Sequence, residues 1–139
     1  MSVLLDTSFL FAFKNLRDAD HGRAVELFQE VFHGQHGAAH TTDFVFAEAV
    51  TVSLVRTGRH SAAVGIGDLI LTGNRGSPTI SLHYLSPEQL MDAWAEFRRH
   101  RDQRLSLTDW TSVVSARALE LDAIVSFDHG FDGVFPRLS

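Results

Sequence analysis

Four acidic residues of this chain stand where a carboxylate needs an explanation, and they come from four separate segments. Asp6 interrupts the apolar run SVLLDTSFLFAF, and Glu48 lies inside the apolar segment DFVFAEAVTVSL. Asp109 falls in the first turn of a predicted helix, and Asp128 directly follows the apolar segment AIVSF. Because burying an unpaired carboxylate costs several kcal/mol, acids at such positions predict a charged partner or a bound cation.

Three of the four acids also have an ordinary structural explanation. Asp6 or Asp128 could be the N-cap of the segment that follows it, and Asp109 could be a first-turn acid favoured by the helix dipole. Glu48 is harder to explain in this way, because its helical neighbours are apolar on all sides. If the four acids meet, their mutual repulsion requires a cation between them. The chain contains a single lysine, Lys14, so a divalent metal ion is the simplest candidate.

Ligation by carboxylate oxygens is typical of Mg²⁺ or Mn²⁺ sites and not of zinc sites. One or two such ions would activate a water molecule and stabilise the charge on a phosphodiester during its hydrolysis. Thr7, Ser8 and Ser126 lie beside the acids and could orient them or the metal-bound water. Turn and capping chemistry explains each of these three hydroxyl groups equally well.

The segments that would position the acids alternate between short apolar strands and helices. Strands are predicted at 3–5, 38–41, 79–85, 123–127 and 134–138. Helices are predicted from 19 to about 33, from 42 or 43 to about 58, from 60 to 72, from 87 to about 100, and from about 108 onwards. This alternation favours a three-layer α/β/α fold with a mainly parallel central sheet. In such folds, the residues that follow the strands meet at one edge of the sheet, where ligands bind.

Length and composition indicate one globular domain over residues 1–139 and exclude several classes of protein. The absence of cysteine excludes disulfides and thiolate metal sites. No apolar stretch approaches the roughly 20 residues that span a bilayer, and the N-terminus has no secretory signal, so a cytoplasmic protein without a membrane partner is expected. The net charge of -5 argues against nucleic-acid binding through overall positive charge. A local basic patch or bound cations could still attract nucleic acid.

Four segments, in their order and spacing, resemble the PIN-domain ribonucleases and most closely the toxins of VapBC-type toxin–antitoxin pairs. They are LLDTSFL, TTDFVFAEAV, LSLTDWTSVVSARALELD and IVSFDHGFD, and the similarity runs from residue 3 to about residue 136. By this resemblance, Asp6 is the acid after the first strand and Glu48 is the helix acid after a TTD start. Asp109 corresponds to the acid of the S-x-x-D helix start. Asp128 corresponds to the acid of a T-x-D-x-x-F segment in which Ser126 replaces threonine.

The resemblance implies a divalent-metal-dependent endoribonuclease that leaves 5′-phosphate and 3′-hydroxyl ends. Asp6, Glu48, Asp109 and Asp128 would hold Mg²⁺ or Mn²⁺, with Asp128 preferred over the nearby Asp132 because it is closer to the strand end. The implied partners are an RNA substrate, a cognate antitoxin protein and a second copy of the chain. The alternatives are a stand-alone PIN nuclease that processes RNA, a PIN-like module that binds RNA or protein without catalysis, and a metal-dependent phosphatase acting on small phosphoesters.

Two further groups of residues have competing interpretations. The basic run RRHRDQR is explained first as a solvated helix end, and alternatively as an RNA phosphate contact close to Asp109. Its cations are Arg98, Arg99, Arg101 and Arg104. A zinc site could be sought at the closely spaced His33, His36 and His40. These histidines flank a glycine-broken turn instead of sharing one helix face, so surface histidines are the preferred interpretation.

Overall fold

In the computed structural model, residues 1–33, 38–73 and 79–139 are described, and within them the chain forms five strands and six α-helices. The strands are Val3–Leu5 (β1), Ala39–Thr42 (β2), Ile80–His83 (β3), Ala123–Val125 (β4) and Arg137–Leu138 (β5). The helices are Thr7–Lys14 (α1), His21–Phe32 (α2), Asp43–Thr57 (α3), His60–Thr72 (α4), Pro87–Arg99 (α5) and Leu107–Ala118 (α6). A 3₁₀ turn, His129–Phe131, follows β4.

The five strands form one sheet in the order β3-β2-β1-β4-β5, and every neighbouring pair is parallel. This confirms the predicted α/β/α class with a parallel central sheet. β1 lies at the centre, and its Leu5 is opposite Val125 of β4. The strand order reverses between β1 and β4, because β2 and β3 lie on one side of β1 and β4 and β5 on the other. In open α/β sheets, such a reversal opens a crevice at the carboxyl ends of the two strands.

Helices cover both faces of the sheet because successive strand side chains point in opposite directions. Val3 and Leu5 belong to a core shared with α1, α2, α3 and α4 on one face. Leu4 and Ile124 belong to a second core on the other face, which is built mainly with α5 and α6. β1 and β4 are buried along their whole length, which explains why these two strands read as continuous apolar runs instead of alternating patterns.

Local capping chemistry sets several helix ends where the sequence predicts them. The Thr42 hydroxyl accepts a hydrogen bond from the Val45 amide (3.1 Å) at the start of α3, and Gly58 ends this helix with a left-handed backbone (φ +67°). Ser86 begins α5 with a reciprocal capping box, in which its hydroxyl and the Gln89 side chain each accept a backbone N–H.

The helix α1 was not among the predicted elements. Its residues are buried on nearly all sides, including Phe9, Leu10, Phe11 and Ala12, so the segment shows no amphipathic stripe. The predicted strand at 123–127 ends at 125 instead, because Ser126 turns away to hydrogen-bond with the residues that follow β1.

Within the part of the chain that the structure describes, no helix has the length and hydropathy to cross a membrane.

Candidate active site

All four acids that the sequence singles out line one cavity of about 250 Å³ at the carboxyl edge of the sheet. The cavity lies where β1 and β4 diverge, as the reversal of strand order predicts. Its lining residues are Asp6, Thr7, Ser8, Phe11, Glu48, Val52, Arg56, Ser106, Asp109 and Asp128. The acids reach it from the end of β1, the middle of α3, the first turn of α6 and the segment after β4. The sheet therefore brings together residues that are up to 122 positions apart.

Asp6 is the most deeply placed acid, with only 2% of its surface exposed. Its backbone N–H donates to the Val125 carbonyl (3.1 Å), which fixes it between β1 and β4. Its carboxylate Oδ2 accepts from the Ser126 hydroxyl (2.8 Å) and from the Ser8 hydroxyl (3.2 Å). Asp6 occupies the N-cap position of α1, but its side chain makes no capping hydrogen bond. Capping therefore does not explain this carboxylate.

Asp109 combines a structural role with a place in the cavity. Its carboxylate accepts from the Ser106 amide (2.8 Å) while the Ser106 hydroxyl accepts from the Asp109 amide (3.1 Å), which completes a capping box at the start of α6. One carboxylate oxygen of Asp109 therefore has the capping role that is ordinary for an acid in the first turn of a helix. The side chain is nevertheless buried and lines the cavity beside Asp6.

Burial and mutual repulsion raise the pKa values of the two deepest acids. Burial raises the pKa of Asp109 to about 7, and the negative charges of Asp6 and Glu48 add to the shift. Burial likewise raises the pKa of Asp6 to about 6, with a further contribution from Glu48, while the hydrogen bond from Ser126 opposes the rise. These charge–charge effects indicate that Asp6, Glu48 and Asp109 interact electrostatically across the cavity.

Glu48 and Asp128 complete the acidic lining and are each half-buried. The neighbours of Glu48 in the sequence are apolar, and the structure adds that the side of α3 carrying Glu48 faces the cavity. The Asp128 carboxylate accepts from the Gly130 amide (2.8 Å), so capping explains part of its placement. Asp132, the nearby alternative, is exposed and forms an ion pair with Arg137 (2.8 Å) away from the cavity. The structure thus places Asp128, and not Asp132, among the four acids.

The three hydroxyl residues beside the acids differ in what they contact. The hydroxyl groups of Ser8 and Ser126 lie 3.0 Å apart, and both contact Asp6. They also accept the backbone N–H groups of Phe127 and Asp128 (3.0 Å each), which ties the segment after β4 to the start of α1. The Thr7 hydroxyl is buried and makes no hydrogen bond with any described residue.

Removal of the Ser126 hydroxyl is expected to destabilise the protein. At pH 8, where Asp6 is ionised, Ser126→Ala should lower the free energy of unfolding by about 2 kcal/mol, because a buried carboxylate loses its shortest hydrogen bond. Ser112→Ala is a matched control, since the buried Ser112 hydroxyl has no partner among the described residues. Chemical denaturation of both variants tests this, and equal stabilities would contradict it.

The negative charge of the cavity lining favours binding of a cation, although the carboxylates do not converge on a single point. Within residues 1–33, 38–73 and 79–139, no three His, Asp or Glu side chains form a ready metal-ligand set. Like charges with no cation between them are expected to stay apart. The Asp6 Oδ1 atom is buried and receives no hydrogen bond from any described residue. An unsatisfied carboxylate oxygen in an acidic cavity of this kind is a suitable ligand for a hard divalent cation.

Arg56 is a charged residue of the cavity that the sequence does not single out. It lies eight residues after Glu48 on α3, so both reach the same side of this helix through the i, i+4, i+8 spacing with Val52. Its guanidinium carbon lies 5.2 Å from the centre of the Phe11 ring. The helical spacing from Glu48 is the signal that could have found it.

The other candidate residues lie apart from the acids. Arg98, Arg99, Arg101 and Arg104 are exposed at the end of α5 and in the loop after it, and none of them lines the acidic cavity. Of the histidines considered for a zinc site, His40 hydrogen-bonds to His83 (2.8 Å), and His36 lies outside the described ranges.

Comparison with known proteins gives a consistent result. The sequence profile of the PIN domain matches residues 3–134. The 23S rRNA-specific endonuclease VapC20 of Mycobacterium tuberculosis is 28% identical over 129 residues, which cover 93% of this chain and 91% of the relative. The crystal structure of VapC20, a toxin that cleaves the sarcin-ricin loop, superposes with a TM-score of 0.81 at 27% identity, over 94% of this chain and 92% of that chain.

More distant structures share the fold. VapBC2 from Rickettsia felis, solved bound to a DNA fragment from its promoter, matches with a TM-score of 0.66 at 14% identity, over 99% of this chain and 98% of that chain. VapBC-1 from nontypeable Haemophilus influenzae matches with a TM-score of 0.65 at 12% identity, over 100% and 98% of the two chains. With the profile match over nearly the whole sequence, the acidic cavity at the strand ends and these structural likenesses, the chain belongs to the PIN-domain family.

Proposed function

We propose that this protein is a divalent-metal-dependent endoribonuclease, the toxin of a type II toxin–antitoxin pair. The observation that carries the proposal is the meeting of Asp6, Glu48, Asp109 and Asp128 in one cavity at the sheet edge. The similarity to a 23S rRNA-specific endonuclease over 93% of the chain supports RNA as the substrate. Membership of a nuclease family with this acidic site supports hydrolysis of a phosphodiester bond as the reaction.

In this proposal, the four acids would hold Mg²⁺ or Mn²⁺, and the unsatisfied Oδ1 of Asp6 would be one of the ligands. The chemistry that such an ion supplies at a carboxylate site is activation of water and neutralisation of the phosphodiester charge. Ser126 and Ser8 orient the Asp6 carboxylate through Oδ2 and leave its other oxygen without a hydrogen bond from the described residues. Ser106 orients Asp109 in the same manner through its backbone N–H.

Arg56 has a distinct role in this arrangement because, among the described residues, it is the one cation that lines the acidic cavity. A guanidinium beside the reacting phosphodiester can pair with its non-bridging oxygens through two hydrogen bonds. We propose that Arg56 orients the RNA strand as it enters the cavity. An arginine can donate these hydrogen bonds to a phosphate, whereas the neighbouring carboxylates cannot.

A panel of substrates tests the proposed reaction. The purified protein is incubated separately with single-stranded RNA, single-stranded DNA of the same sequence and nitrophenyl phosphate. Each incubation contains either about 5 mM MgCl₂ or EDTA. Cleavage of RNA alone, and only with Mg²⁺, is the expected result. Hydrolysis of nitrophenyl phosphate without RNA cleavage would contradict the proposal and indicate a phosphatase. RNA binding without any hydrolysis would indicate a non-catalytic module.

The proposed partners follow from the toxin assignment. The structural neighbours include toxin–antitoxin complexes, which supports a cognate antitoxin protein as the inhibitor of this chain. A homodimer stays a prediction, which light scattering of the purified protein tests. We place the protein in the cytoplasm, where an rRNA substrate of the kind that VapC20 cleaves is found.

The basic run at the end of α5 provides a separate prediction. Neutralising Arg98, Arg99, Arg101 and Arg104 together is expected to weaken RNA binding and to flatten its salt dependence, because phosphate contacts release counterions. Arg99 also pairs with Glu96, so part of its charge is already neutralised. Binding isotherms at several salt concentrations measure this, and an unchanged slope would leave the run as a solvated helix end.

A further inference from the structure

A second and larger cavity, of about 610 Å³, adjoins the acidic one and has the opposite charge. It lies between the C-terminal ends of α1 and α3, and its lining includes Lys14, Arg17, Arg56 and Arg59. These are four of the twelve lysine and arginine residues in a chain whose net charge is -5. Within residues 1–33, 38–73 and 79–139, no aspartate or glutamate lines this cavity. We call the cavity that these four cations line the basic cavity.

The cations of the basic cavity have no counterions in the part of the chain that is described. The ion pairs of the described residues use other cations, namely Arg23, Arg99, His100, Arg117, His129 and Arg137. The side chains of the basic cavity are exposed to solvent, so they are accessible to a ligand. Positive charges that line one cavity and form no ion pair repel one another, and an anionic ligand relieves this repulsion.

Helix dipoles explain only part of the cluster. Lys14 and Arg56 lie in the last turns of α1 and α3, where a cation is favoured by the partial negative charge of the helix end. Arg17 and Arg59 lie beyond these helices, and the left-handed Gly58 turns the chain just before Arg59. The tertiary fold therefore adds two cations for which no dipole argument exists.

The two cavities are joined by Arg56, which lines both of them. Its guanidinium lies over the Phe11 ring, and Phe11 also lines the acidic cavity. Glu48, Val52 and Arg56 follow one another at intervals of one helical turn along α3. A ligand lying along this side of α3 would contact the acids at one end and the basic cavity at the other.

We propose that the basic cavity binds backbone phosphates of the RNA strand next to the bond that lies at the four acids. This inference rests on the proposed ribonuclease function and adds the residues that hold the substrate outside the reacting centre. Cations that contact phosphates position a strand without reading its sequence. The basic cavity would therefore determine the affinity for RNA, while other residues would recognise the target sequence of the RNA. It also explains how a chain of net negative charge can attract RNA to an acidic site.

The test is a double variant, Lys14→Gln/Arg59→Gln, whose two exposed side chains come from opposite sides of the basic cavity. The matched control is Arg23→Gln/Arg117→Gln, which removes the same charge outside the cavity. Binding of a fluorescent 12-nucleotide single-stranded RNA is measured by anisotropy between 50 and 300 mM salt. Both pairs are placed in an Asp6→Asn background, which keeps the RNA intact. A thermal melt of each variant establishes that it is folded, and Arg17→Gln provides an independent single variant.

Loss of two phosphate contacts is expected to weaken binding about 10-fold and to reduce the slope of log K against log salt by about 1.4, since each contact on a single strand contributes about 0.7. The control is expected to keep the slope of the parent protein. An unchanged slope in the cavity variant would overturn the inference. Binding of a polyglutamate peptide that depends on the basic cavity, without binding of RNA, would overturn it in favour of an acidic protein segment.

A cleavage assay separates this inference from the proposed function. In the background that retains Asp6, the cavity variant is expected to need about 10-fold more RNA for half-maximal single-turnover cleavage, with an unchanged rate at saturation. If the wild-type protein cleaves RNA and the variant has the same half-maximal concentration, only the basic-cavity inference fails. If the wild-type protein does not cleave RNA, the proposed function fails, and the anisotropy still decides whether the cavity binds RNA.

Discussion

Replacing Asp109 with asparagine is expected to reduce Mg²⁺-dependent RNA cleavage by at least about 10³-fold, the loss expected when a metal-holding carboxylate is removed from a hydrolytic site. The substitution is nearly isosteric, and the asparagine oxygen can still accept the Ser106 amide that completes the capping box of α6. The fold should therefore be retained while the charge is lost. Asp6→Asn and Glu48→Gln are expected to have the same effect on cleavage.

The same substitution should stabilise the metal-free protein at pH 8, where Asp109 is ionised in a buried position beside other acids. Removal of one of several repelling charges lowers the free energy of the folded state. This opposite effect on activity and stability distinguishes a metal-holding acid from a structural one, whose replacement would lower both. Denaturation in EDTA and cleavage in Mg²⁺ are the two measurements.

Asp132→Asn is the control, because it makes the same chemical change at an acid that lies outside the cavity. Its cleavage rate is expected to stay within about twofold of the wild-type rate, as is usual for surface substitutions. A large loss of activity in Asp132→Asn, or a fully active Asp109→Asn, would contradict the assignment of the site. A destabilised but inactive Asp109→Asn would argue against repulsion within the acidic cavity.

The stability of the metal-free protein is expected to fall as the pH rises from 4 to 8. The pKa values of Asp6 and Asp109 are raised to about 6 and about 7 from 3.8, so the folded state binds more protons than the unfolded state between these limits. Their contribution to stability is fully present below about pH 4 and is lost as the pH rises through the two folded-state values. The loss is several kcal/mol, since the two pKa values are raised by about 2 and about 3 and one pKa unit corresponds to about 1.4 kcal/mol.

Mg²⁺ should offset part of this loss, because protons and the metal ion compete for the same carboxylate oxygens. At ten times its dissociation constant, Mg²⁺ would stabilise the fold by about 1.4 kcal/mol at pH 8 and by clearly less at pH 6. Unfolding curves of the wild-type protein and of the Asp6→Asn/Asp109→Asn double variant, with Mg²⁺ or with EDTA, isolate the contribution of the two acids. An Mg²⁺ effect that is equal at both pH values, or retained in the double variant, would contradict the proposed ligands.

Features with local causes were predictable from the sequence. The capping of α3 by Thr42 and of α5 by Ser86 depends on groups only three residues apart in the chain. Alternating apolar strands and helices likewise indicated a parallel sheet, because a strand covered on both faces must be apolar throughout. α1 was missed for the complementary reason: a helix that is buried almost all round shows no stripe for periodicity to detect.

By itself, the sequence determined the alternation of strands and helices after α1 and the presence of one unusual acid in each of four segments. Only the tertiary structure decided that Asp128 and not Asp132 joins Asp6, that Ser126 holds the Asp6 carboxylate, and that Arg56 connects an acidic cavity to a basic one. The reason is physical. Capping and periodicity act over a few residues, whereas these contacts depend on the pairing of β1 with β4 and on the packing of α1 against α3, which join parts of the chain that are far apart in sequence.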